Sequence, residues 1–92
     1  MTFRKKVLKV VSKIPKGSTM TYAQVAAKAG NKKAARAVGS IVSANYDPAI
    51  PCHRVVRSDG GMGGYNRGVK KKMALLRAEG VDVERYKIQT RI

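Results

Sequence analysis

The sequence predicts a mainly α-helical domain with a short β-hairpin, organised as a winged-helix-like helix-turn-helix. Three observations lead there. Apolar residues recur at helical spacing near both ends of the chain, and capping chemistry marks the helix starts. Two short helical segments meet at Gly30-Asn31, which suits a helix-turn-helix corner. The only compact β-branched run that reads as buried strand is Val55-Val56, and a Ser58-Asp59-Gly60-Gly61 turn follows it.

Taken in order, Thr2 caps a first helix running to about Ser12. Phe3, Val7, Leu8, Val10 and Val11 form its apolar stripe, and Arg4, Lys5, Lys6 and Lys9 its wet face. Ile14-Pro15-Lys16-Gly17 ends it in a turn. Thr21 and Gln24 have capping-box spacing and start a second helix, closed after about Ala29 by Gly30. Asn31 is expected to cap a third helix over about residues 32–44. Its side chains are mostly small: Ala34, Ala35, Ala37, Gly39, Ser40, Ser43 and Ala44 surround Arg36. Such a surface fits either close packing on another helix or close approach to a nucleic-acid backbone. Gly68 to Glu79 reads as the last helix, with Met73, Leu75 and Leu76 inward and Lys70, Lys71, Lys72 and Arg77 toward water or phosphate. Gly80 stops it. Val81–Ile92 is expected to be a strand or an extended cover.

A chain of 92 residues suggests one domain over 1–92 with a modest core. Twenty basic side chains against five acidic ones leave a charge of +15, which calls for a polyanionic partner, above all nucleic acid. Heat-adapted surfaces enrich Lys and Glu together, and five acids cannot pair twenty bases. No apolar run reaches the roughly 18 residues of a membrane helix, and no signal peptide is visible, so no membrane partner is expected. A single cysteine excludes an internal disulfide and fits a reducing cytoplasm. With a single histidine beside it, it cannot make a structural zinc site; no metal and no cofactor are expected.

That cysteine and that histidine are neighbours, in Ile50-Pro51-Cys52-His53-Arg54-Val55-Val56. For an arbitrary Cys-His pair, a buried structural thiol beside a partly exposed imidazole is the common arrangement. Adjacent residues of a regular strand point to opposite faces. For His53 to serve Cys52, the chain must bend, as Pro51 favours, or a water must bridge them.

The wider stretch resembles the active-site segment of the O6-alkylguanine-DNA alkyltransferases. It has Pro51-Cys52-His53-Arg54-Val55, then a glycine-rich loop ending in Gly63-Gly64-Tyr65, at that family's spacing. Ala34-Ala35-Arg36-Ala37-Val38-Gly39 resembles the family's recognition helix, which enters the minor groove. The resemblance runs from about Lys6 to Val83; the family's variable N-terminal domain is missing from the sequence.

The resemblance implies direct-reversal DNA repair, with the alkyl group passing from a flipped-out O6-alkylguanine of double-stranded DNA to Cys52, irreversibly and once per molecule. It implies catalytic roles for Cys52, His53, Glu79 and Tyr22, as a Cys52–water–His53–Glu79 relay with Tyr22 donating a proton to guanine N3. By the same resemblance Arg36 intercalates, Ala35, Ala37, Gly39, Ser40 and Asn45 face DNA, and Asn45 is also the hinge. Tyr65, the Val55 carbonyl and Asn66, from an active-site loop spanning about residues 50–66, line the substrate pocket with Lys72 of the last helix. The protein is expected to act as a monomer, in the cytoplasm at the nucleoid, or in the nucleus of a eukaryote.

One departure stands out: Asn66 and Arg67 follow Tyr65 where the family usually has a small hydroxyl residue and then Gly. An alternative is a non-catalytic alkyltransferase-like sensor that flags alkylated guanine for another pathway. That branch usually carries Trp where this chain has Cys52. A general DNA-packaging module would explain the charge and leave Cys52 without a role.

Overall fold

The computed structural model of the chain describes residues 2–86. Thr2 starts α1 (Phe3–Ser12) by accepting the Lys5 N–H on its hydroxyl at 3.2 Å, which satisfies one of the amides a helix start leaves free. Val7 and Val11 are buried on the inner face, and the four basic residues between Phe3 and Val10 stay exposed. The short strand β1 (Met20–Thr21) runs directly into α2 (Tyr22–Lys28). The capping box is complete: Gln24 N–H donates to Thr21 Oγ1 at 3.1 Å, and Thr21 N–H to Gln24 Oε1 at 2.9 Å. Past Ala29 the chain turns at Gly30, φ +98°, with Asn31 N–H donating to Ala26 O and Gly30 N–H to Ala27 O, a Schellman ending.

The third helix starts later than expected. Residues 31–34 form a turn in which Asn31 Oδ1 accepts the Lys33 N–H at 3.2 Å, and α3 (Ala35–Ser43) begins after an Ala34 with no side-chain cap. An asparagine that bonds two residues ahead competes with helix formation, and here it wins. Val38 and Val42 face inward and hold α3 on α1 and α2. The small residues are mostly outside: Arg36, Ala37, Ser40, Ser43 and Ala44 are exposed, and a Cβ added at Gly39 would meet nothing within 4 Å. Helix packing therefore does not require this smooth face.

The second strand, β2 (Val55–Val56), pairs with β1 in parallel, Met20 opposite Val55 and Thr21 opposite Val56. The mainly helical class holds, and the expected hairpin is corrected to a parallel pair. Parallel strands need a long crossover, and α2, α3 and the loop after them provide it. The Ser58–Gly61 turn does form, closed by Arg57 N–H to Gly61 O at 3.1 Å. No two-residue strand follows it among the described residues.

Helix α4 (Val69–Ala78) ends on Glu79 and Gly80, with Val81 N–H donating to Leu76 O and Gly80 N–H to Arg77 O. Leu76 is fully buried; Lys70, Lys71 and Arg77 are exposed. Lys72 was expected to face water or phosphate and instead is 0% exposed, because it lies one turn before Leu76 on the same inner stripe. Beyond α4, Val83–Arg85 makes a 3-10 turn rather than a strand, started by Asp82 accepting the Glu84 N–H. The remainder of the expected cover, 87–92, lies outside the described residues.

Two apolar cores result among the described residues. The larger joins α1, α2, α3, Cys52 and Val55; the smaller joins Val56, Met62, Leu76 and Val83. The Cys52–Val56 segment bridges them, so the candidate nucleophile sits at the junction.

Since nothing in the fold requires a glycine at position 39, Gly39→Ala should stabilise the protein by about 0.5–1 kcal/mol, the usual gain of Ala over Gly inside a helix. A thermal melt checks this; a lowered midpoint would show that the outer face of α3 is packed after all.

Candidate active site

Pro51 leads into a 3-10 turn, Cys52–Arg54, closed by Arg54 N–H to Pro51 O at 3.0 Å. This is the bend a Cys-His pair needs. Cys52 is 7% exposed, and its Sγ accepts a hydrogen bond from Asn45 Nδ2 at 3.2 Å. Asn45, expected among the DNA contacts, has its side chain committed to the thiol, because the hinge folds back over the turn. Burial pushes the Cys52 thiol up; the Asn45 amide, Lys72 and Arg67 act against it, and Asp47 reinforces it. The thiol is consequently protonated at neutral pH, and a base is needed to make the thiolate.

A candidate base and its support lie beside it. His53 Nε2 is 3.0 Å from Glu79 Oε2. Glu79 also receives Arg54, Nε at 3.0 Å on Oε1 and Nη2 at 2.7 Å on Oε2, while Arg54 Nη1 donates to Ile14 O at 2.8 Å. The Arg54 guanidinium, ahead of His53, holds the Glu79 carboxyl down at about 2. An ionised carboxylate only accepts, so Nε2 carries the proton toward Glu79 and Nδ1 is left as the basic nitrogen of the neutral ring. No hydrogen bond joins Cys52 to His53 directly. Arg54 was assigned no role from sequence; its place in the motif says nothing of a partner 25 residues on.

A second network lies under the glycine-rich loop. Lys72 Nζ donates to Val55 O at 2.6 Å and Gly64 O at 3.2 Å, and burial pushes its pKa down to about 8. The Val55 carbonyl, expected to accept from a substrate amine, is thus already engaged. Gly63 has φ +77°, and a Cβ there would lie 3.1 Å from the Tyr22 hydroxyl and 3.5 Å from Lys72 Nζ. Only glycine lets the loop run this close. Burial raises the Tyr22 phenol, which therefore keeps its proton.

The site residues line two depressions. An open cleft of about 550 Å³ is bordered by Tyr22, Ala35, Arg36 and Gly39 on one side and by Arg57–Asp59, Gly63 and Gly64 on the other. A narrower pocket of about 280 Å³ holds Cys52 and His53 under Asn45, Tyr65, Asn66 and Arg67. The loop passes from one to the other between Gly64 and Tyr65. Ala37 and Ser40 border neither and are exposed on α3; Glu79 lies behind His53. Asn66 lines the pocket, but its amide nitrogen is turned to two backbone carbonyls, Ser43 O at 3.0 Å and Asn45 O at 2.6 Å. Arg57, Ser58 and Asp59 were not singled out from sequence, since a turn that reads as a connector gives no sign of bordering a cleft. Among the described residues no group of three or more His, Cys, Asp or Glu converges as metal ligands would.

The family model for the 6-O-methylguanine DNA methyltransferase, DNA binding domain, matches residues 2–81. The chain belongs to this family. The methylated-DNA–protein-cysteine methyltransferase of Methanothermobacter thermautotrophicus is 53% identical over 83 residues, covering 89% of this chain and 46% of that protein. The same-named protein of Saccharolobus solfataricus is 51% identical over 82 residues, covering 88% of this chain and 52% of its own length. The chain spans about half the length of the curated relatives it matches. Among solved structures, Mycobacterium tuberculosis OGT in complex with DNA superposes with a TM-score of 0.82 at 37% identity, covering 94% of this chain and 51% of that one.

For an alkyltransferase-family domain, the Arg54–Glu79–His53 cluster has a measurable signature. Glu79 titrates lower in the folded chain than its ordinary 4.5. Its contribution to stability is complete above about pH 4.5 and is lost as pH falls toward 2. Glu79→Gln should cost on the order of 3 kcal/mol at neutral pH and flatten the acid limb of the stability profile. Denaturant titrations from pH 7 to pH 2.5 measure both; equal acid sensitivity in the two proteins would contradict the assignment.

Proposed function

We propose that this domain performs direct-reversal repair, transferring the alkyl group of O6-alkylguanine in duplex DNA to Cys52 Sγ once per molecule. The observation that carries the reading is a sole cysteine, shielded and hydrogen-bonded, beside a His53–Glu79 pair and next to an exposed, smooth, arginine-bearing helix.

The chemistry follows from the groups in place. The thiol proton passes through a water to His53 Nδ1, and the imidazolium is held by the Glu79 carboxylate. The thiolate attacks the alkyl carbon; the S–C bond forms as the C–O6 bond breaks, and its electrons return to the guanine. Tyr22, still protonated, gives N3 a proton, so guanine leaves neutral, and the charge of Arg57 steadies the phenolate. A thioether has no route back to thiol, and the molecule is spent.

A base inside a duplex must be flipped out to reach Cys52. In this reading α3 enters the minor groove: its small outer face permits close approach, and Arg36 inserts where the base has left. The +15 charge provides binding that is independent of sequence and weakens steeply with salt. One chain acts as a monomer on one lesion.

A second reading has a specific likeness behind it. The Schizosaccharomyces pombe ATL in complex with DNA is 32% identical with a TM-score of 0.75, and this chain covers 77% of it. In that reading the domain is a non-catalytic sensor that would flip the base and leave the alkyl group in place.

Incubation with duplex DNA containing O6-methylguanine should raise the intact mass by one methyl group per chain, and Cys52→Ser should show no rise. Tight binding without any mass change would favour the sensor. Arg36→Ala should slow repair of the duplex by at least tenfold and leave reaction with a free O6-alkylguanine base nearly unchanged, because only the duplex requires flipping. Equal losses on both substrates would place Arg36 in the pocket instead.

A further inference from the structure

The two residues that depart from the family pattern, Asn66 and Arg67, converge on one short segment of backbone. Asn66 Nδ2 donates to Ser43 O at 3.0 Å and to Asn45 O at 2.6 Å; Arg67 Nη2 donates to Tyr46 O at 2.9 Å. These carbonyls lie at the end of α3 and in the hinge that follows. The end of a helix leaves its last carbonyls without partners inside the helix. The last turn of α3 has no basic residue to meet them. The loop supplies the missing donors from more than twenty residues away, 23 in the case of Ser43.

The chain of contacts goes further. The Asn45 backbone is held by Asn66, and the Asn45 side chain donates to Cys52 Sγ at 3.2 Å. Asn66 is therefore one residue removed from the sulfur, and it lines the same pocket. We propose that Asn66 is a positioning residue for the Cys52 thiol: by clasping the Ser43 and Asn45 carbonyls it sets the hinge at which Asn45 reaches the sulfur. Arg67 extends the clasp to Tyr46. Asn66 touches no reacting atom and acts through Asn45. The proposal rests on Cys52 being the acceptor, but its test uses no DNA.

The charged and titratable groups around the thiol are Lys72 of α4, Tyr22 of α2, Arg67 and Asp47 from the two loops, and Lys71 at the pocket rim; His53 is its neighbour in the chain. All of them remain in variants at positions 45 and 66. The rate of Cys52 alkylation by iodoacetamide, followed from pH 6 to 10 by intact mass, reads the thiolate directly. Asn45→Ala should slow it at pH 7 and move its midpoint upward. Asn66→Ala should do the same by roughly two- to tenfold, the factor that one hydrogen bond of ordinary net strength represents. The double variant should be no slower than Asn45→Ala, since both changes break the same path. An Asn66→Ala profile identical to that of the unsubstituted protein, or additive effects in the double variant, would overturn the proposal. Should Asn66→Ala fail to fold, Asn66→Leu keeps the bulk and removes the donors, and the side-chain amide of Asn66 can be followed by hydrogen exchange in the unsubstituted protein. Protection of that amide supports the clasp; exchange at the rate of a free asparagine overturns it. Loss of methyl transfer from DNA with this pattern intact would count against the proposed function and leave the clasp standing.

Discussion

The Glu79 carboxylate is the point on which this structure turns. It belongs to the residue that ends α4, takes the Nε–Nη2 edge of the Arg54 guanidinium on its two oxygens and meets His53 Nε2, while Arg54 Nη1 reaches on to Ile14 O after α1. One carboxylate thus ties the last helix, the nucleophile turn and the end of the first helix together. Both partners are largely shielded, with side chains 15% and 12% exposed for Arg54 and Glu79. Removing one side of such a pair leaves the other charge unsatisfied, which is costlier than the net worth of the pair. The same contact orients the candidate base: the ionised Glu79 takes the Nε2 proton of a neutral His53 and leaves Nδ1 with its lone pair.

The thiol is governed by an opposing pair of effects. Burial disfavours the thiolate, and the Asn45 amide with the Lys72 and Arg67 cations favours it. Burial is the larger effect. A thiol kept protonated until a base acts on it is protected from adventitious alkylation and oxidation. Lys72 shows the same economy of burial: its stem fills the inner stripe of α4, and its ammonium joins β2 to the glycine loop through two carbonyls.

Local chemistry was legible in the sequence. The Thr21–Gln24 box, the glycine stops at Gly30 and Gly80 and the Thr2 cap all form, because each involves residues within a few positions of one another. The Pro51–Tyr65 motif brought Cys52, His53 and Tyr65 into one pocket as expected. What failed was long-range or competitive. Parallel pairing of Met20–Thr21 with Val55–Val56 depends on a crossover that no two-residue strand announces. Asn31 had two uses, and the turn prevailed over the cap. Lys72 followed its helical phase rather than its polarity, and Asn45 faced the sulfur rather than the solvent. Arg54 and Asn66 find their partners more than twenty residues away, at 25 and 23 positions.

The central claim is that the alkyl group ends on the sulfur of Cys52. The most direct measurement follows the carbon itself, by NMR, from a duplex whose O6-methylguanine carries a ¹³C-labelled methyl group. The account predicts that the label leaves the DNA and appears as a single thioether methyl resonance on the protein, absent when Cys52 has been blocked beforehand. Label recovered as methanol, or label that stays on guanine in a tight complex, would contradict it.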